Sequence, residues 1–370
     1  MTARGKQGAE STQSGTGVAA AIQRLAPDAL AESWDNCGLQ AGSLAGEFRR
    51  VLIALSPLSE VFDEAEERGA DFLLFHHPLI FGGVNSVNFD RYPGDLIRRA
   101  AVSGLAIYAS HTSYDIAPGG VSVALAEALG LRGPLEVVVP TGGIKKLVIF
   151  TPPENAEELS DALSGAGAGV IGEYSNCTFR TPGTGTFKGG EASNPYLGEA
   201  GSLERVDEIR LETVVPAHLA GAAVAAATEA HPYEEMAHDL YPVDGHPEGC
   251  GLGRSGALPE PMTPERLTEY VSERLGFPAR LLSNPHPGRE LRSAAVLGGS
   301  GASFMDRAAA KAPVYITGDI KYHDALDAET LGLTLIDAGH AATELPALEP
   351  LARRLGELVD IPVEVSRVRR

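Results

Sequence analysis

Two of the chain's ten histidines are adjacent, in Phe75-His76-His77-Pro78 at the end of an apolar run. Loops at the C-terminal ends of strands are where open α/β sheets bind ligands. Neighbouring residues on a regular strand face opposite ways. Both imidazoles therefore reach one site only if the strand has ended, and Pro78 helps to end it. Neutral ring nitrogens there suit a divalent metal; the alternative is one packed and one solvated histidine. A second run, Leu105 to Ser110, leads into His111-Thr112-Ser113-Tyr114-Asp115, where Asp115 is either a ligand or a turn or capping carboxylate. A third, Leu333 to Ile336, leads into Asp337-Ala338-Gly339-His340-Ala341-Ala342-Thr343-Glu344. If the chain turns helical after Gly339, His340 and Glu344 share a face at i,i+4, a spacing that suits joint ligation or a plain surface contact.

Three such strand ends are more specific together than any one alone. His76, His77, Asp115, His340 and Glu344 offer three neutral and two anionic ligands. With two divalent ions they leave about two positive charges, which attract anions and lower the pKa of bound water. Ligand softness leaves zinc, iron, manganese and nickel open. Lesser features surround this set. Gly298-Gly299-Ser300-Gly301 either cradles an anion or makes a tight turn, and no P-loop lysine follows it. His323, after Thr317-Gly318-Asp319, lines the site or caps its helix. Trp34-Asp35-Asn36 is a turn with a packed Trp, or faces a ligand. His231-Pro232-Tyr233-Glu234-Glu235 is a solvated turn unless its domain folds over the main cleft. No nucleophile elbow, dinucleotide fingerprint or aromatic-interleaved basic patch is present.

The elements that must hold these residues alternate. Strands are expected at Val51 to Leu55, Asp71 to Phe75 and Leu105 to Ser110, with helices at Val18 to Leu30, Glu60 to Arg68, Asp95 to Val102 and Val121 to Leu129. Gly69 and Gly104 read as left-handed helix caps. Strand–helix alternation implies a largely parallel sheet covered by helices. From Lys145 to about Val243 the character changes. Two βαβ-type halves suggest a ferredoxin-like unit, with Gly183 to Ser202 a Gly-rich loop or hairpin. Alternation resumes from Glu248, with a helix over Glu344 to Leu358 and a closing strand at Ile361 to Ser366. The expected architecture is a two-lobed α/β main domain interrupted by an α+β insert: a disordered tail (1–16), a first lobe (17–143), the insert (144–247) and a second lobe (248–370).

The 370 residues carry 49 Asp+Glu against 30 Lys+Arg, a net charge of −19. So acidic a chain argues against nucleic acid and anionic membranes as partners. Three scattered cysteines without a CxxC, and no apolar segment of signal-peptide or membrane-spanning length, point to the cytoplasm.

Taken in order, Ser33-Trp34-Asp35-Asn36-Cys37-Gly38-Leu39-Gln40, Phe75-His76-His77-Pro78-Leu79, His111-Thr112 with Asp115, Gly298-Gly299-Ser300-Gly301, Thr317-Gly318-Asp319-Ile320-Lys321-Tyr322-His323 and Gly339-His340 with Thr343-Glu344 resemble the NGG-interacting-factor-three-like dinuclear-metal family, whose members carry the name GTP cyclohydrolase 1 type 2 homolog. The segment around His231 resembles the insert of its longer bacterial form, a CutA- or PII-like ferredoxin fold, except that Met236 stands where a proline is usual. The resemblance implies a toroidal homohexamer with dinuclear sites. The implied ligands are His76, His77, Asp115, His340 and Glu344, with Glu344 bridging. It also implies a metal-dependent hydrolase acting on a nucleotide-like substrate, in the cyclohydrolase version by attack of water on the purine C8. His111 and His323 are then candidates for proton transfer, as is Glu235 if the insert reaches the site. A non-enzymatic metal-holding scaffold or sensor, and metal storage or delivery, are the competing readings.

Overall fold

The computed structural model describes residues 11–369. The chain separates into two compact units, one running to Pro140 and resuming at Gly249, the other spanning Thr141–Glu248.

The first unit holds two large sheets. In one, Val363–Val365, Val51–Ala54, Phe72–Phe75 and Ala106–Ala109 run parallel, and Gly38–Ala41 adds an antiparallel edge. Three of these strands are buried along their whole length. Parallel strands covered on both faces read as unbroken apolar runs, hence Val-Leu-Ile-Ala and Phe-Leu-Leu-Phe. The flanking helices Ser59–Arg68 and Gly94–Ser103 stop at Gly69 and Gly104, both left-handed (φ 66° and 68°), as the sequence suggested.

The other sheet has six strands. Leu291–Ser300, Val314–Gly318 and Thr334–Asp337 are parallel, and Arg280–Ser283, Gly251–Met262 and Arg132–Pro140 pair antiparallel around them. This membership corrects the expected lobe boundaries. Arg132–Pro140 belongs to the later sheet, because Gly251 and Leu252 pair with Pro140 and Val139, so the chain leaves and re-enters this unit on neighbouring strands. The last strand returns to the earlier sheet, where the Val51 N–H donates to the Pro362 carbonyl.

Other boundaries shift for local reasons. Of the expected tail, residues 1–10 lie outside the described residues, while Gln13–Ser14 pairs with Glu47–Phe48 and Ser14 caps a helix over Gly15–Leu25. That helix ends before Pro27 rather than at Leu30. The expected helix over Glu344 to Leu358 is instead a 3₁₀ turn Leu345–Ala347 containing Pro346 and a helix Leu348–Gly356, while Glu344 ends an earlier short helix, His340–Glu344.

The second unit is a four-stranded antiparallel sheet with two helices. Its chain order is Ile144–Thr151, helix Ala156–Gly165, Thr178–Lys188, Leu203–Pro216, helix Ala220–Ala230 and His238–Val243. Leu147, Ile149 and Leu211 from the sheet pack with Leu159, Leu163, Ala223 and Ala227 from the helices. The hairpin is far longer than its short predicted strands, since Thr178–Lys188 pairs with Leu203–Thr213 along its whole length.

Candidate metal centre

All the residues that converge belong to the first unit. The His76 N–H donates to the Ala54 carbonyl (3.1 Å) and the His77 N–H to the Leu55 carbonyl (2.8 Å). Consecutive N–H groups thus turn toward the same neighbouring strand, which regular strand alternation forbids. That local irregularity brings the two imidazoles to one place, with centroids 5.2 Å apart. After Ala106–Ala109 the chain passes Ser110 and His111 into a short helix, Thr112–Ile116, that presents Asp115. After Thr334–Asp337 it reaches Gly339 (φ 83°) and the helix His340–Glu344, whose ends share a face.

Glu344 is the hub. Its Oε1 lies 3.5 Å from His76 Nε2 and 3.2 Å from His340 Nε2, and its Oε2 lies 3.1 Å from His77 Nε2. Asp115 Oδ1 stands 3.7 Å from His76 Nε2. The Nε2 atoms of His77 and His340 face each other at 3.2 Å. Among the described residues, two overlapping groups have donor atoms close enough to hold a metal ion: His76, His77 and His111, and His77, His340 and Glu344.

Each imidazole is oriented from behind. His76 Nδ1 meets the Ser110 carbonyl (3.1 Å), His77 Nδ1 the Ser56 hydroxyl (2.9 Å), His111 Nδ1 an Asp35 oxygen (2.9 Å) and His340 Nδ1 an Asp319 oxygen (2.7 Å). Outer oxygens of this kind fix the ring and leave the other nitrogen for a metal. His76 Nε2 and Glu344 Oε2 are buried without a well-formed hydrogen bond. Buried polar atoms otherwise nearly always find a partner. A cation between these nitrogens and oxygens satisfies both, so the donor set fits divalent metal.

The charges agree. Burial works against a proton on His76, but the Asp115 and Glu344 carboxylates outweigh it and raise the ring to about 9. The hydrogen bond to Glu344 raises His340 to about 9 as well. Burial pushes His77 down, and pushes Asp115 up to about 6 against the pull of His76. Burial also opposes the charge on Glu344, but the surrounding imidazoles hold its carboxyl well below the usual range. Asp35 is likewise held low, because its hydrogen bonds from His111 and Thr112 outweigh burial. Without metal the cluster therefore carries protons in place of cations.

The remaining sequence candidates fall into place differently. His111 joins the cluster, 5.2 Å from the His76 ring and 5.7 Å from the His77 ring, so it is a nitrogen donor as well as a proton-transfer candidate. His323 is exposed in the first turn of Tyr322–Thr330, its ring edge-on to Tyr322, and the structure does not bring it into the cluster. Glu235 belongs to the second unit, at a cavity within it. Trp34 is not packed: it is 58% exposed, and with Phe81 (67% exposed) it stands edge-on to His111. Of the two readings of Gly298-Gly299-Ser300-Gly301, anion cradle or tight turn, the contacts of the first two residues favour the turn. The Gly298 N–H donates to Ser122 Oγ and the Gly299 N–H to Thr343 Oγ1, so neither is free for a ligand. These glycines serve close approach: a Cβ on Gly299 would stand 2.4 Å from Glu344 Oε1, and one on Gly318 would stand 2.6 Å from the His340 backbone nitrogen. Sequence reasoning missed Ser56, and no signal beyond its place after a parallel strand marks it. A cavity of about 680 Å³ lies over the cluster, with Asp115, His111, His340 and Glu344 on its polar side and Trp34 and Phe81 beside them.

Fold and site together define an α/β protein whose strand ends carry His/Glu groups able to hold metal. Residues 14–370 match the family Duf34/NIF3 (NGG1p interacting factor 3), and the chain belongs to that family. It is 43% identical over 323 residues to the GTP cyclohydrolase 1 type 2 homolog of Halalkalibacterium halodurans, covering 86% of each chain. It is 40% identical over 328 residues to the protein of that name from Bacillus subtilis, covering 88% of this chain and 87% of the other. A crystal structure of a Bacillus cereus protein related to NIF3 superposes with a TM-score of 0.82 at 42% identity over 96% of both chains. No helix among the described residues is long and apolar enough to cross a membrane.

Proposed function

We propose that the chain is a dinuclear-metal hydrolase acting on a nucleotide-like substrate. The observation that carries this reading is the set of four imidazoles, each held at Nδ1 by an oxygen; the remaining nitrogens of three of them, His76, His77 and His340, meet a buried carboxylate at 3.1–3.5 Å. His76, His77, Asp115, His340 and Glu344 would hold two divalent ions, with Glu344 shared between them, and zinc, iron, manganese and nickel all suit the donors. Bound divalent ions supply Lewis acidity and lower the pKa of water. The chain's own residues supply the rest. Asp35 fixes the His111 ring so that Nε2 can take a proton from water or return one to a leaving group. Trp34 and Phe81 offer exposed ring faces against which a base can stack. The reaction class is addition of water to an electrophilic carbon or phosphorus, and the names of the relatives favour a purine nucleotide.

Six copies in a ring and a cytoplasmic setting belong to the same proposal, and the free thiols of Cys37, Cys177 and Cys250 suit a reducing compartment. The test is a nucleotide screen with metal restored, run beside Asp115→Ala and with mass measured by light scattering. Turnover that vanishes in Asp115→Ala while the assembly persists supports the proposal. Turnover that survives the substitution overturns the catalytic role. A metal-loaded protein that turns over no nucleotide leaves metal holding or delivery as the function.

A further inference from the structure

His231-Pro232-Tyr233-Glu234-Glu235 follows the helix Ala220–Ala230 in the second unit. His231 is only 7% exposed and fully engaged. Its Nε2 donates to the Phe150 carbonyl (2.9 Å), and its Nδ1 accepts the Tyr233 N–H (3.1 Å). The imidazole is thus a bracket: its ring stands edge-on to Tyr233 at 4.9 Å and fixes where the phenol sits. Tyr233 in turn lies 6.3 Å from Phe187 and 6.1 Å from Tyr196, inclined at 53° and 45°. These rings border a cavity of about 380 Å³, together with Phe150 and the carboxylates of Glu208, Glu234 and Glu235; Lys188 is its one basic residue.

The construction is deliberate in its close contacts. Glu208 lies over Gly185 so tightly that a Cβ there would be 2.1 Å from Oε2. Glu234 accepts the Asn194 N–H at 3.2 Å, which ties the Gly-rich connection to the cavity wall. The Tyr233 hydroxyl oxygen is buried near Glu208 without a well-formed hydrogen bond.

Four features select the occupant. Three carboxylates against one ammonium reject an anion. The inclined rings leave no parallel pair between which a flat base could slide. A bare metal ion needs converging donors, and among the described residues the groups that converge closely enough are both in the metal centre of the other unit. Aromatic faces carry negative potential, and several faces around one point attract an alkylated cation. We propose that this cavity binds an organic ammonium ion, with Tyr233, Tyr196 and Phe187 as its walls and Glu208, Glu234 and Glu235 as its counter-charge.

The test uses the full-length protein and calorimetric titration with choline, with n-butylammonium, and with 3,3-dimethylbutan-1-ol, the uncharged isostere of choline. At least one ammonium should bind, roughly tenfold or more tighter than the alcohol. Tyr196→Ala removes a half-exposed ring (52%) that the fold does not depend on, and should weaken that binding by about tenfold. Glu235→Gln, an isosteric change at an exposed position, should weaken it several-fold. The proposal is overturned if neither ammonium binds up to about 10 mM, if the alcohol binds as well as choline, or if both variants bind like the wild type. Binding lost in Asp115→Ala but kept in Tyr196→Ala also overturns it, because the cation would then be at the metal centre.

Discussion

Gly299→Ala should cost the protein its metal although Gly299 is not a ligand. Two penalties arise. Gly299 has φ 71°, a conformation that costs an L-residue about 1–2 kcal/mol. The new Cβ would also stand 2.4 Å from Glu344 Oε1, whereas an unstrained contact needs about 3.5 Å, so the carboxylate must retreat by roughly 1 Å. That oxygen lies 3.2 Å from His340 Nε2 and 3.5 Å from His76 Nε2, so its retreat pulls apart the point where three elements meet. Losing only an orienting partner costs about 10–100-fold in metal affinity, and displacing the shared carboxylate should cost at least that. Gly104→Ala isolates the two penalties. Gly104 has nearly the same φ, 68°, but a Cβ there meets nothing within 4 Å. Gly104→Ala should therefore lose about 1–2 kcal/mol in denaturant titrations and Gly299→Ala at least that, and only Gly299→Ala should lose affinity in a chelator-competition assay. Equal metal affinity in the two variants would refute the claim that Glu344 is held at the centre by its clearance over Gly299.

Asp35→Asn keeps the shape but removes the charge that fixes His111, the proton carrier of the proposal, so turnover should fall by about 10²–10⁴-fold while the protein still folds and keeps its metal content by elemental analysis. Metal affinity should rise with pH. His76 and His340 hold protons up to about 9 without metal, and the cation must expel both, so between about 6 and 9 the apparent constant should gain up to about two decades per pH unit. Below about 6, where Asp115 takes up a proton, the slope should steepen; a flat profile across this range would exclude these groups as ligands. Leu211→Ala empties a fully buried position in the second unit and should cost about 2–5 kcal/mol by chemical denaturation. Because Leu211 packs in that unit's own core cluster, metal content should not change.

Much of the centre was legible because its residues sit where chain geometry is simplest. Phe72-Leu73-Leu74-Phe75 is an unbroken apolar run, so a buried strand and its exit at His76 follow directly. His340 and Glu344 are four apart after a glycine, and the chain does turn helical there, the condition on which the two share a face. What the sequence hid depends on partners far along the chain. Asp35 meets His111, 76 residues away, and Ser56 meets His77 across a strand pair. Asp319 reaches His340 from a left-handed position (φ 59°) that an aspartate tolerates but does not announce. Sheet membership was hidden for the same reason. Arg132–Pro140 is an edge strand that is mostly exposed or half-buried, so it lacks the apolar signature that marks Val51–Ala54. The long hairpin arm Thr178–Lys188 has no buried residue, and its Thr-Gly alternation reads as a loop.

The most direct test is the metal itself. Untagged protein, purified without chelator, should carry two divalent ions per chain by elemental analysis, and anomalous difference maps should place both among His76, His77, Asp115, His340 and Glu344. Glu344→Gln should lose both. Protein that stays free of metal after incubation with zinc, iron, manganese and nickel, or anomalous peaks away from Glu344, would contradict a centre built around that carboxylate.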